Sequence, residues 1–128
     1  MTSDKSALPA VLVVEDEPLI RLEAVDTIED AGFRTYDAGS ADAALKILEA
    51  QDDIGVLFTD VDMPGSMNGI KLAGLVRERW PSLAIIIASG IVDVDKAQMP
   101  EGTLFFPKPY PTTRIIAALQ DIAANLRS

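Results

Sequence analysis

No cysteine and no histidine occur among the 128 residues. Without cysteine there is no disulfide, no thiolate metal site and no thiol nucleophile. Without histidine, zinc sites of the usual kind and imidazole acid–base catalysis are excluded, as is an internal phosphohistidine. A phosphoryl group that travels by way of a histidine must therefore arrive on another protein. Basic residues are scarce: 11 Lys and Arg stand against 20 Asp and Glu, a formal net charge of -9. That balance disfavours direct contact with nucleic acid or with anionic lipid, both of which call for a basic face. No run approaches the roughly 20 apolar residues of a membrane-spanning helix. The stretch from Ala7 to Val14 is too short and wrongly flanked for a signal peptide. The expectation is a soluble, cytoplasmic protein.

Apolar residues make up 48% of the chain, enough for one domain with its own core. Short apolar runs alternate with longer amphipathic segments. Strands are expected at Ala10–Val14, Arg34–Asp37, Val56–Thr59, Leu83–Ala88 and Thr103–Phe106. Helices are expected at Pro18–Ala31, Ser40–Ala50, Asn68–Arg79 and Thr112–Leu126, with a short, weak one at Val92–Gln98. That fourth helix is rich in β-branched residues and aspartate and is followed by Pro100, so its propensity is poor. Strict alternation of β and α predicts a parallel α/β sheet with helices on both faces. Pro18 suits the first turn of a helix, Ser40 a helix cap and Gly32 a helix stop. Ile85-Ile86-Ile87 reads as a strand buried on both sides. Connections are short, and no interdomain linker, repeat or low-complexity tract interrupts them. Residues 1–9 are taken as an N-terminal extension and residues 10–128 as the domain.

Carboxylates gather where the strands end. Asp60 closes the run Gly55-Val56-Leu57-Phe58-Thr59, and Glu15-Asp16-Glu17 follow Val11-Leu12-Val13-Val14. In a parallel sheet the strand ends share one edge, which is where open α/β sheets bind ligands. The fourth strand ends near Ser89 and the fifth near Lys108. Crowded carboxylates repel unless a hard divalent cation or protonation relieves them. An acid cluster with a hydroxyl and a lysine thus points to a Mg²⁺-dependent (or Mn²⁺-dependent) site acting on phosphate.

Four segments carry a family resemblance: Val11-Leu12-Val13-Val14-Glu15-Asp16-Glu17, Phe58-Thr59-Asp60-Val61-Asp62-Met63-Pro64, Ala88-Ser89-Gly90 and Phe106-Pro107-Lys108-Pro109-Tyr110. Together and in this order the chain resembles the receiver domain of two-component response regulators, from about Ala10 to the C-terminus. The resemblance implies a flavodoxin-like, doubly wound five-stranded sheet in the order 2-1-3-4-5. It implies that Asp60 is the phosphoacceptor and forms an acyl phosphate. Asp16, Asp60 and the backbone carbonyl of Asp62 would bind the metal directly, with Glu15 holding it through a water. Lys108 and Ser89 would contact phosphoryl oxygens, and Ser89 with Phe105 would form a switch that carries the signal to the face made by the fourth helix, fifth strand and last helix. The activity implied is that of a signalling switch with autophosphorylation and autodephosphorylation only, not of a metabolic enzyme. The implied partners are a sensor histidine kinase or phosphotransfer protein and a downstream protein target; a homodimer through the fourth-helix face is compatible with this. The expected organisation is a stand-alone regulator or a receiver excised from a hybrid kinase.

The segment after Pro64 is about one residue longer than the family pattern, Phe105 stands in place of a frequent tyrosine, and Asp62 adds an acid beside the phosphoacceptor. The resemblance also implies a cis Lys108–Pro109 bond. Glu17 reads as a solvated first-turn residue, while Arg21 and Leu22 are candidates for partner specificity. Two other readings compete. Asp60-Val61-Asp62 is similar to the nucleophile motif of haloacid-dehalogenase-like phosphatases, with Asp60 as nucleophile and Asp62 as acid–base; against it, the motif lies on the third strand rather than the first, and no cap segment is visible. A flavodoxin-like flavin binder would need a Ser/Thr/Gly-rich phosphate loop after the first strand, where this chain has acids.

Overall fold

Successive residues of the central strands alternate between two separate cores, and this alternation builds the molecule. A computed structural model describes residues 8–61, 67–90 and 99–127. Its sheet has five strands: β1 (Ala10–Val14), β2 (Thr35–Ala38), β3 (Ile54–Asp60), β4 (Ala84–Ser89) and β5 (Leu104–Pro107). They are ordered β2-β1-β3-β4-β5, and every pair is parallel. The helices among the described residues are α1 (Pro18–Asp30), α2 (Ala41–Ala50), α3 (Gly69–Arg79) and α4 (Thr112–Arg127). The weak helix expected at Val92–Gln98 lies outside the described residues.

Leu12, Val14, Leu57, Ile85 and Ile87 face one core, which is closed by Ala44 and Leu48 of α2 and by Leu72, Ala73 and Val76 of α3. Val11, Val13, Val56, Phe58 and Ile86 face the other, closed by Ile28 of α1 and by Ile115, Leu119 and Ala123 of α4. The period of two follows from the pleat, which sends neighbouring side chains to opposite faces. Fully burying one such aliphatic side chain contributes roughly 1.5–3 kcal/mol, so the three inner strands carry most of the fold. The outer strands are shorter and partly exposed.

Local chemistry sets the helix ends. Pro18 opens α1, Ser40 Oγ accepts the Ala43 N–H at 3.2 Å, and Asn68 Oδ1 accepts the Lys71 N–H at 3.0 Å. Gly32 ends α1 with φ +100°, a conformation that favours glycine, while its N–H bonds the Glu29 carbonyl. β2 runs over Thr35–Ala38, one residue later than the apolar pattern indicates, because Val11–Val14 of β1 pair with Thr35–Ala38. β5 likewise begins one residue later than expected, at Leu104, in register with Ile86.

Candidate functional site

The parallel register brings the strand ends to one edge. Asp60, the last residue of β3, pairs with Ala88, and Ser89 at the end of β4 pairs with Pro107. The Lys108 N–H then donates to the Ser89 carbonyl at 2.8 Å, tying the start of the β5–α4 connection to the end of β4. On the other side of β3, β1 delivers Glu15 and Asp16 directly after Val14. Carboxylate oxygens of Glu15, Asp16 and Asp60 all lie within 4.8 Å of one another. Lys108 enters the cluster with Nζ 3.2 Å from Asp60 Oδ2 and 3.3 Å from Glu15 Oε1.

The acids differ in their surroundings. Glu15 and Asp60 are nearly buried, at 6% and 9% exposure, whereas Asp16 is exposed. Burial pushes the Glu15 carboxyl above its ordinary 4.5; the Asp60 charge adds to this, and the Glu17 N–H and the Lys108 ammonium oppose it without cancelling it. For Lys108, burial acts downward, but the charges of Asp60 and Glu15 outweigh it and hold the ammonium above 10.5. The Asp60 oxygens are unequal: Oδ2 meets Lys108, while Oδ1 is buried without a hydrogen-bond partner among the described residues. A buried carboxylate oxygen left unpaired is costly unless a ligand completes it. Three carboxylates in reach of one point, one with a vacant oxygen, are a donor set suited to a hard, oxygen-seeking divalent cation.

Of the remaining expected residues, Ser89, Phe105 and Glu17 are among those described. Ser89 is buried beside the site, at 1% exposure. Phe105 pairs with Ile87 on β5 and is half-buried against the α2–α3 core. Glu17 is exposed and precedes α1, its N–H donating to Glu15 Oε2 at 3.1 Å. Asp62, expected to offer its carbonyl, lies outside the described residues, as does the rest of the segment Asp62–Ser66. The Lys108–Pro109 peptide is cis.

Two residues in this region were not singled out for the site by their sequence pattern. Gly69 opens α3 with its N–H donating to the Val61 carbonyl at 2.9 Å, and a Cβ there would sit 1.9 Å from the Asp60 carbonyl oxygen. Only glycine lets α3 press this closely on the backbone that carries Asp60; the available signal was a glycine directly after a helix cap. Arg21, considered above for partner contacts, donates from Nη1 to the Glu15 carbonyl at 2.9 Å and pairs through Nε with Asp37 Oδ2 at 3.1 Å. Its guanidinium is thus engaged within the molecule.

Comparison with known proteins agrees with this geometry. The family model described as the response regulator receiver domain matches residues 11–120. The response regulator protein FleR of Pseudomonas aeruginosa is 35% identical over 118 residues, which is 90% of this chain and 24% of FleR. The sensor kinase CckA of Brucella abortus is 28% identical over 124 residues, 94% of this chain and 13% of CckA. The chain therefore spans a quarter or less of these relatives. The crystal structure of a response regulator receiver domain protein from Clostridium thermocellum superposes with a TM-score of 0.86 at 26% identity, covering 94% of this chain and 98% of that one. Neither the family match nor these relatives support the phosphatase reading of Asp60-Val61-Asp62. With strand order, strand-end acids and the family match in agreement over nearly the whole length, the chain belongs to the response regulator receiver domains, the signalling switches of two-component systems.

Proposed function

We propose that Asp60 is the phosphoacceptor of this receiver domain. The observation that carries the reading is the asymmetry of its carboxylate. Lys108 holds Oδ2, while Oδ1 is buried and unpartnered at the mouth of an acidic cluster. A carboxylate oxygen of Asp60 attacks phosphorus on the phosphohistidine of a partner; the P–N bond breaks, the electron pair leaves with the imidazole nitrogen, and an acyl phosphate forms. Hydrolysis undoes the transfer: water attacks phosphorus, the acyl O–P bond breaks with its electron pair left on the carboxylate, and inorganic phosphate is released.

The surrounding residues have separable tasks. Glu15, Asp16 and Asp60 are the side chains that would hold Mg²⁺, joined by the carbonyl of Asp62. The ion supplies neutralisation of carboxylate repulsion and of charge on the transferred group. Lys108 follows the charge, since its ammonium already bridges Asp60 and Glu15 and would turn to a phosphoryl oxygen as one appears. Ser89, whose carbonyl accepts the Lys108 N–H, donates a hydroxyl to a second oxygen. Phe105 lies in register with the same pair of strands, which supports its role in relaying occupancy of the site to the β5 edge.

The donor is a sensor histidine kinase or phosphotransfer protein, and output is by contact with a downstream protein. The apolar residues Leu19, Ile20 and Leu22 of α1 are exposed on the helix that follows Glu15 and Asp16, and Ile20 borders the site. A cleft of about 580 Å³ between α1 and α4, bordered by Ile20, Phe58, Lys108 and Tyr110, runs up to it. Both features suit a partner surface that must bring its histidine to Asp60.

Incubation with phosphoramidate, whose P–N bond mimics phosphohistidine, tests the assignment. Intact-mass analysis is expected to show one added phosphoryl group that requires Mg²⁺ and is absent in Asp60→Asn. Labelling that persists in Asp60→Asn overturns it.

A further inference from the structure

The loop from β1 to α1 must present Asp16 from an exposed position, yet its carboxylate has to stay within reach of two nearly buried acids. Besides backbone hydrogen bonds such as that from the Glu15 N–H to the Ala38 carbonyl at 3.0 Å, three contacts made by side chains hold that loop. Glu15 Oε2 accepts the Glu17 N–H, Glu15 Oε1 meets Lys108, and the Glu15 carbonyl accepts Arg21 Nη1. The third is distinct in kind. The Glu15 carbonyl belongs to the peptide that joins Glu15 to Asp16. A hydrogen bond to that oxygen fixes the plane of the peptide, and with it the direction in which Asp16 leaves the strand.

The donor is itself anchored on a different element. Arg21 Nε pairs with Asp37 of β2 at 3.1 Å, so the guanidinium fork spans from the end of one strand to the end of the next. Gly39, directly after β2, leaves room for it. A Cβ built on Gly39 would lie 2.6 Å from Arg21 Nη1, and the next nearest atom is Arg21 Cζ at 3.7 Å. The backbone of Gly39 lies outside the positive-φ region, and among the described residues no atom beyond its chain neighbours and Arg21 lies within 4 Å of that Cβ. The absent side chain therefore leaves its space to the guanidinium.

We propose that Arg21 is a positioning residue for the divalent-cation site, acting through the Glu15–Asp16 peptide, and that Gly39 is the space that lets it do so. The proposal rests on the reading of Glu15, Asp16 and Asp60 as the Mg²⁺ side chains. It carries a sign that a purely electrostatic role would reverse. A guanidinium beside a divalent-ion site opposes the ion by charge, so removing it would tighten Mg²⁺ binding if charge were all that mattered. Loss of the held peptide loosens the site and weakens binding, as loss of partners behind metal ligands generally does.

The experiment is a calorimetric titration of the whole chain with MgCl₂, for wild type, Arg21→Met, Arg21→Lys, Gly39→Ala and the Gly39→Ala/Arg21→Met double variant. Thermal unfolding confirms that each is folded at the working temperature. Arg21→Met is expected to weaken Mg²⁺ affinity roughly tenfold, the lower end of what such supporting groups contribute. Arg21→Lys keeps the charge but has one ammonium in place of a fork, and is expected to weaken binding as well. Gly39→Ala keeps Arg21 intact and displaces only its Nη1; it weakens binding, and the double variant is no weaker than Arg21→Met because both changes remove the same contact. If Arg21→Met does not fold, Gly39→Ala and Arg21→Lys decide. Wild-type protein that binds no Mg²⁺ overturns the cation-site reading together with this proposal. Wild type that binds while the variants keep equal or tighter affinity, or effects of Gly39→Ala and Arg21→Met that simply add, overturns the Arg21 proposal alone.

Discussion

Two clusters of acids and cations sit at opposite edges of the same sheet, and they are built on opposite plans. At the amino edge, just before β3, Asp53 receives the Tyr36 hydroxyl at 2.9 Å on one oxygen and the Arg34 guanidinium on the other. Arg34 also donates to the Leu8 carbonyl at 2.7 Å. Burial acts to raise the Asp53 carboxyl, but the Tyr36 and Arg34 contacts prevail and hold it below its ordinary 3.8. At the carboxyl edge, three acids cluster and two of them, Glu15 and Asp60, share Lys108; one Asp60 oxygen has no partner among the described residues, and Glu15 is held above its ordinary value. The first cluster is satisfied by the fold alone and ties the start of β1 to β2 and β3. The second is left incomplete by the fold, at a cost in stability, and its donor set suits a divalent cation. The contrast shows how local stability can be given up at one edge for reactivity and secured at the other.

The contrast is broken most strongly at the carboxyl edge. Asp16→Asn is expected to weaken Mg²⁺ binding by roughly 100-fold, at the upper end of effects seen for groups around metal sites, whereas Glu17→Gln leaves it nearly unchanged. A titration giving the reverse order would move the pocket away from Asp16. A smaller loss is expected where α3 crowds Asp60. Gly69→Ala forces a methyl against the Asp60 carbonyl and should cost about 1–3 kcal/mol in urea unfolding, the usual penalty of overpacking. It should also slow labelling of Asp60; unchanged stability would show that α3 can withdraw without cost.

The two edges are also expected to respond to pH with opposite sign, and this sharpens the comparison. The depressed Asp53 gives stability that is present above 3.8 and lost as pH falls through its folded value. Asp53→Asn therefore lowers stability at neutral pH, by about 1 kcal/mol or less for a half-exposed pair. The raised Glu15 gives stability that is present below 4.5 and lost as pH rises through its folded value. Glu15→Gln, measured in metal-free buffer, is therefore expected to raise the urea midpoint slightly at neutral pH and to flatten the pH dependence just above 4.5. Parallel shifts in the two variants would mean that the edges are not organised as described.

Much of this was legible in the chain itself. The apolar runs, their alternation with amphipathic segments, and the acids at the ends of β1 and β3 mark a parallel sheet with an acidic edge. Ser40 is a cap as expected, and Asn68, expected within the third helix, caps it instead. The apolar pattern starts the edge strands one residue early, at Arg34 and Thr103, because a short, half-exposed strand takes its register from its neighbour rather than from its own weak pattern. Gly69 shows only its place after a helix cap, and Gly39 gives no sign of its role. A glycine that makes room for another segment resembles any other glycine until that segment is in place.

Periodicity and residue type by themselves determined which segments pair in β, which wrap as helices and which strand ends carry charge, because these depend on neighbours two to four residues apart. Tertiary structure alone decided which charges meet. Lys108 reaches Glu15 across 93 positions, Arg21 bridges two strand ends, and one Asp60 oxygen remains unpaired. Such pairings are set by how strands stack side by side, and no local pattern records the distance between side chains that only the folded sheet brings together.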